Sequence, residues 1–147
     1  MQGPFFRPVF HLQTATAALG RAEKMAKQAM DVIPTTPKPR PDIPDAQWEG
    51  AKKDAIAEAH QAIAMSAVAR KKYDVAIAEY KLSVEGAATP DAATMVRLGS
   101  TYNQAGKPAE AIAVLDKVLA LPDLHPQIKT AAEGEKKNSE KLKAAQK

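Results

Sequence analysis

The residues that could do chemistry are few and lie far apart along this chain. Its only histidines are His11, His60 and His125, on different segments of the sequence. Histidines that share a metal ion on one helix typically stand four positions apart, and these do not. His60 falls at a packing position of its predicted helix and indicates a half-buried core residue, while His125 precedes a proline and indicates a turn. We predict neither a metal ligand nor a catalytic base among the histidines.

Other groups from which active sites are built are missing or scattered. The chain has no cysteine, which excludes disulfides, thiolate metal ligands and a cysteine nucleophile. Its carboxylates are spread over predicted helix surfaces, and neither a Gly-x-Ser-x-Gly segment nor a glycine-rich phosphate loop occurs. Ser66, Ser83 and Ser100 occupy small-residue positions on predicted helices. The sequence therefore predicts a protein that is not an enzyme and holds no cofactor or metal.

The charge distribution argues against nucleic acid as a partner, although the net charge is +4 and the pI about 9.3. The excess of lysine and arginine lies towards the two ends of the chain, and the C-terminal lysines alternate with glutamates. A nucleic-acid surface would show a basic stripe with aromatic or amide readers. We predict a solvated, lysine-rich helix end.

Phe5, Phe6 and Phe10 are the only phenylalanines, and they stand close together in a segment that also holds Pro4 and Pro8. Exposing such side chains costs ~25 cal/mol per Å² of apolar surface. Two surfaces could bury these side chains: the chain's own first helix, or a neighbouring subunit. The three phenylalanines are therefore our candidates for a partner-binding tail, and a homo-oligomer is one of the expected assemblies.

The sequence also bears on membranes and location. No stretch approaches the ~18 apolar residues of a membrane-spanning helix, and the first residues lack the apolar core of a signal peptide. We predict no transmembrane segment. If a signal peptide has been removed, a bacterial periplasm or cell envelope is expected, and otherwise the cytoplasm.

The elements that position these residues are predicted to be helices. The chain of 147 residues contains 30 alanines, and alanine favours closely packed helices, whereas β-branched and aromatic residues are too sparse for a sheet. The fold class is all-α. The predicted segments are an irregular tail 1–11, a helix 12–33, a proline-rich linker 34–44, helix pairs in 45–89 and 90–125, and a last helix 126–147.

Local signals set the expected helix boundaries. Asp45 is expected to cap the helix that follows the linker, and Thr89 to cap a later one with Pro90 at its first position. Gly106 favours the left-handed turn that ends this later helix, and Pro108 opens the next one.

A repeat connects the middle helices. Ala76 and Ala111 stand 35 positions apart, each is followed by isoleucine, and Tyr80 and Leu115 come four positions after them. This pattern resembles the tetratricopeptide repeat, a helix–turn–helix unit of about 34 residues, as found in bacterial multi-repeat proteins. In the second repeat Leu98, Gly99, Tyr102, Gly106 and Ala111 match the family, while Leu115 replaces the usual aromatic residue and Val118 stands where alanine is common. In the first repeat the second-helix positions are filled by Ala76, Tyr80 and Ser83, while Ile63 and Ala64 replace the Leu-Gly pair and Ala67 replaces the aromatic residue. A remnant repeat is indicated by Ala22, Ala29, Val32 and Pro34, with Ala26 where a bulky residue is usual.

The resemblance implies a fold and a binding surface. The fold would be a short right-handed superhelix of antiparallel helix pairs, closed by a C-terminal capping helix. The family binds partners on the concave face of its first helices, which here corresponds to Gln61, Met65, Val68, Arg97, Ser100, Asn103 and Gln104. Gln61 and Met65 replace the Lys and Asn with which some members clamp a peptide's terminal carboxylates, so the side chains further along the face would instead hold a backbone or a single carboxylate.

The expected function is a non-enzymatic protein–protein interaction module, an adaptor or scaffold subunit that binds a protein or peptide. One alternative is a co-chaperone or assembly factor that holds client segments in the concave groove. Another is a regulatory fragment of a larger multi-repeat protein. Because fewer clear repeats are present than the ~3 needed for independent stability, the N-terminal helix, a partner chain or self-association is expected to add burial.

Overall fold

The computed structural model describes residues 6–89 and 91–147, with side chains from residue 15 onward. Regular structure in these ranges is helical throughout, which confirms the all-α prediction for them. The helices are α1 (Phe6–Val32), α2 (Asp45–Ala69), α3 (Tyr73–Gly86), α4 (Ala92–Gln104), α5 (Pro108–Leu119) and α6 (Pro126–Ala145), and a short 3-10 turn, Ile33–Thr35, follows α1.

Each helix packs against the next one along the chain, and α6 also packs against α4. The pairs α1–α2 and α2–α3 are antiparallel. Glu23 in the middle of α1 binds Arg70 just after α2, whereas Pro34 after α1 accepts from Lys52 near the start of α2. Similarly, Ser83 near the end of α3 donates to the Ala57 carbonyl oxygen in α2 at 2.7 Å.

The buried apolar residues form three clusters, each shared by helices that follow one another. Such an arrangement makes stability depend on contacts between neighbouring helices, as in repeat proteins. The clusters are Ala26, Ala59 and Ile63 in α1 and α2; Ala64, Ile77, Tyr80 and Leu98 in α2, α3 and α4; and Met95, Ala111, Leu115, Val118 and Ala132 in α4, α5 and α6.

Buried positions recur with the spacing of 35 residues. Ala76 and Ala111 are both fully buried, which is consistent with their predicted place at helix contacts. Tyr80 and Leu115, at the next matching positions, are 3% and 0% exposed. A fully buried alanine thus recurs four positions before a large buried residue in both α3 and α5, which is consistent with closely packed helices.

The turns of the two helix pairs match as well. Lys71, between α2 and α3, has a φ of 59°, and Gly106, between α4 and α5, has a φ of 74°. In both turns the N–H of the following residue donates at 2.8 Å to a carbonyl in the preceding helix. Gly106 therefore adopts the left-handed conformation predicted for it, and Lys71 adopts the same conformation with a side chain.

The start of α1 differs from the prediction. Residues 6–11 were expected to be irregular, but α1 begins at Phe6. Pro8 is accommodated because it lies in the first turn, where the backbone N–H has no partner within the helix and the ring has no preceding turn to clash with. The predicted tail is therefore wrong for residues 6–11, and residues 1–5 lie outside the described part of the chain.

The capping residues of α2 and α4 also differ. Asp91 caps α4, and its Oδ1 accepts from the Ala93 N–H at 3.2 Å. Thr89 was expected in this role, but its N–H donates to Asp54 Oδ1 at 3.3 Å, and Pro90 lies outside the described residues. Asp45 is the first residue of α2 rather than its cap, and it binds Lys38 at 2.6 Å.

The proline-rich linker is attached to α2 rather than free. Trp48 Nε1 donates to the Thr36 carbonyl oxygen at 3.2 Å, and Lys38 Nζ donates to the Ile43 carbonyl oxygen at 3.2 Å. Since Lys38 also binds Asp45, the linker lies against the start of α2.

Candidate functional site

Three of the seven residues of the predicted concave surface line a cleft between α4 and α6. Its volume is about 470 Å³. The side chains that line it are Ser100, Asn103 and Gln104 of α4 and Glu135, Asn138, Lys141 and Leu142 of α6. The structure thus brings three of the predicted residues together and adds a wall from α6 that the sequence prediction did not include.

Asn103 holds the two walls of this cleft together. Its Nδ2 donates to the Glu135 carbonyl oxygen at 3.1 Å and to Glu135 Oε2 at 3.0 Å. Its Oδ1 accepts from the fully buried Ser139 hydroxyl at 2.8 Å. Because both ends of the amide are engaged by α6, Asn103 joins the two walls of the cleft, and its contact with a partner stays a prediction.

The amides of Gln104 and Asn138 make no hydrogen bond within the part of the chain that the structure describes. Both side chains are exposed, and they stand on opposite walls. An amide offers donors and an acceptor, so it can bind the N–H and C=O groups of an extended chain. Lys141 adds one positive charge, and Leu142, which is 36% exposed, adds apolar surface.

Gln61 lies in a second cleft, between α2, α3 and α4, with a volume of about 350 Å³. Asp54, Glu58 and Asp91 line it with Gln61, and its lining contains no basic side chain. Asp54 Oδ1 accepts from the Ala88 N–H at 2.8 Å. Together with the cap formed by Asp91, this bond fixes the loop between α3 and α4, which makes the local role of both aspartates structural.

The other predicted residues divide between surface and core. Met65 is 49% exposed and Arg97 is also exposed, whereas Val68 packs against the cluster around Tyr80. Burial raises the pKa of Tyr80 above its ordinary value, and the positive charge of Arg97 opposes this shift. Met65 and Arg97 therefore remain available at the surface, while Val68 contributes to packing.

The side chains of the predicted aromatic tail lie outside the part of the chain that the structure describes. Phe5 lies outside the described residues. The backbone of Phe6 and Phe10 belongs to α1, and their side chains lie outside the described part of the molecule.

His60 is half-buried, as predicted, and its Nδ1 lies 2.6 Å from Glu79 Oε2. The two side chains are 20% and 22% exposed and join α2 to α3 away from the residues that line either cleft. Within the described residues, no group of three or more His, Asp or Glu side chains is arranged to hold a metal ion. The described helices also include none that is long and apolar enough to cross a membrane.

The chain matches no protein-family model, no curated protein and no solved structure. Its class is therefore that of an all-helical protein in which successive helices pack against one another. Any statement about function rests on its own residues.

Proposed function

We infer that this chain is a non-enzymatic protein-interaction module built like a short tetratricopeptide superhelix, and that it binds an extended polypeptide segment. Support for the repeat comes from the burial that recurs at Ala76 and Ala111 and from the matching turns at Lys71 and Gly106. In this arrangement α2, α4 and α6 are the first helices of successive units, and α6 closes the array with a polar outer side.

The observation that carries the proposed binding is the α4–α6 cleft. Gln104 and Asn138 present unengaged amides from opposite walls, while Asn103, Glu135 and Ser139 keep the walls at a fixed separation. A preorganised groove lowers the entropy lost when a partner segment is bound. Because amides recognise the backbone, the cleft would accept segments of varied sequence, with Lys141 favouring a carboxylate.

The test uses the intact chain and a display library of random peptides. We expect the wild type to enrich peptides and the double variant Gln104→Ala/Asn138→Ala to lose about tenfold or more in affinity for them, because two backbone contacts are removed. The matched control is Gln28→Ala/Gln47→Ala, which removes two exposed amides from α1 and α2. Equal binding by the wild type and the cleft variant contradicts the proposal.

A second experiment distinguishes a scaffold subunit from a co-chaperone. Affinity capture from native extract, followed by mass measurement of the intact complex, gives one partner with fixed stoichiometry for an adaptor or scaffold subunit. A co-chaperone instead retains many segments of unrelated proteins with fast exchange. In both cases the variant Gln104→Ala/Asn138→Ala is expected to lose the proteins that the wild type retains.

A further inference from the structure

A separate apolar groove lies between α3 and α5, where both helices pack against α4. Its volume is about 230 Å³. Met95 and Leu98 of α4 are its most buried residues, at 9% and 4% exposure. Val84 of α3, Val114 of α5 and Tyr102 of α4 are half-buried and complete the apolar lining.

The rim of this α3–α5 groove is charged. Lys81 stands on the α3 side and Lys117 on the α5 side, and Glu85 is one turn after Lys81. None of the three forms an ion pair within 4 Å among the residues that the structure describes.

We propose that the α3–α5 groove is a docking site for a partner-protein segment in which a bulky apolar residue is flanked on both sides by carboxylates. The apolar lining gains free energy only when it is covered by apolar atoms, which requires a large aliphatic or aromatic side chain. The long stems of Lys81 and Lys117 allow their ammonium groups to reach a segment from both walls.

The charges of the rim select the flanking residues. A segment with acidic flanks pairs with the two lysines, whereas a basic segment would be repelled by both of them and attracted only by Glu85. A neutral segment would leave both lysines unpaired. A nucleic-acid backbone would meet the lysines but leave Met95, Leu98 and Val114 uncovered, so a protein segment fits the groove better.

This docking site does not depend on the proposed function, because it shares no lining residue with the α4–α6 cleft. If both exist, the chain connects two partners, one on each surface. If only the α3–α5 groove binds, the binding proposed above for the α4–α6 cleft fails while this inference stands.

The experiment is a titration of the isotope-labelled full chain with short synthetic peptides, followed by amide chemical shifts. The peptides carry a central Leu-Phe flanked by aspartates, and the comparison peptides carry asparagines or lysines there. We expect the acidic peptide alone to shift the amides of Val84, Leu98 and Val114. Lys81→Glu/Lys117→Glu should weaken this binding about tenfold or more, since two attractions become repulsions.

Two further variants sharpen the result. Glu85→Gln removes a repulsion and should strengthen binding of the acidic peptide. Lys137→Glu changes the charge on the exposed outer side of α6 and should leave binding unchanged, as should Gln104→Ala/Asn138→Ala. The proposal is overturned if no acidic peptide binds, if the asparagine peptide binds as tightly, or if the double reversal at the rim has no effect.

Discussion

A Cβ atom on Gly99 would lie 2.8 Å from both Cγ and Cδ2 of Leu115. This distance is well inside van der Waals contact, so α4 and α5 approach each other as closely as they do only because residue 99 has no side chain. The isobutyl group of Leu115, which is fully buried, occupies the space that a side chain at residue 99 would need. The contact fixes the separation of the second helix pair.

The first prediction follows from this contact. Gly99→Ala should destabilise the chain by about 1–3 kcal/mol, because the helices must move apart or Leu115 must leave its rotamer. Chemical unfolding monitored by circular dichroism measures the change. Gly134→Ala is the matched control: it lies in α6 with open space around the new methyl group, so it should stabilise by about 0.5–1 kcal/mol through helix propensity.

A double-mutant cycle separates the steric effect from other causes. Leu115→Ala alone should cost about 2–5 kcal/mol through the cavity it leaves. Gly99→Ala combined with Leu115→Ala should cost less than the sum, because the methyl group then enters that cavity. Additive costs would show that Gly99 and Leu115 do not limit each other.

The second prediction concerns the two left-handed turns. Lys71→Gly should stabilise the chain by about 1 kcal/mol or somewhat less, because it relieves the positive φ of 59° but increases the freedom of the unfolded chain. Gly106→Ala should destabilise it by about 1 kcal/mol, since it introduces a side chain at a φ of 74°. Thermal unfolding of both variants should therefore shift in opposite directions, and a lowered melting temperature for Lys71→Gly would contradict the shared turn geometry.

The third prediction concerns the two small residues at helix contacts. Ala76→Leu and Ala111→Leu should each cost about 1–3 kcal/mol or more, because both alanines are fully buried and a larger side chain overpacks the contact. Ala78→Leu, at an exposed position of α3, provides the control and should have little effect. Unchanged thermal stability in both buried variants would disprove their place between packed helices.

The sequence predicts the helix pairs better than it predicts the functional surface, and particular residues show why. Ala76, Ala111 and Gly106 were placed correctly, because close packing and a left-handed turn each require small residues locally. Asn103 was expected to face a partner, but it binds Glu135 and Ser139. Its role depends on a helix more than 30 residues further on, and one residue's type does not reveal that contact.

Two other differences also arise from context. Residues 6–11 were expected to be irregular, but the first turn of a helix tolerates a proline such as Pro8. The α6 wall of the cleft was not predicted, because charged residues on a helix indicate a solvent-exposed face as readily as the wall of a binding site. The spacing of Glu135 and Ser139 by four positions was the available signal, as it places both on one face of α6.

The fourth prediction is a pH dependence at the α1–α2 contact. Glu23 accepts from the Ser66 hydroxyl at 2.5 Å and binds Arg70 at 2.8 Å. The Ser66 hydrogen bond, followed by the charges of Arg70 and Lys27, lowers the pKa of Glu23 below its ordinary value of 4.5, against the opposing effect of burial. A lowered pKa in the folded state means that Glu23 stabilises the fold above the unfolded-state value and that this contribution is lost as the pH falls through the folded-state value.

Glu23→Gln tests this dependence. At neutral pH the variant should be less stable than the wild type by about 1 kcal/mol, and the difference should vanish towards acid pH as the wild-type carboxylate is protonated. Urea unfolding across this pH range measures both chains. Glu133→Gln, an exposed residue of α6, serves as the control, and a constant difference between wild type and Glu23→Gln would contradict the assignment.

The fifth prediction concerns the side chain that joins the walls of the cleft. Asn103→Ala removes the donor to Glu135 and one of two acceptors near the buried Ser139 hydroxyl, the other being the Glu135 carbonyl oxygen at 2.9 Å, so it should cost about 1–3 kcal/mol. Since these bonds connect α4 only to α6, hydrogen exchange should accelerate in α6 and change little in α2. Asn138→Ala removes an exposed amide from the same cleft and should leave α6 protected. Uniform acceleration in α2 and α6 would mean that the chain unfolds as one unit, and unchanged exchange in α6 would mean that Asn103 does not hold the cleft together.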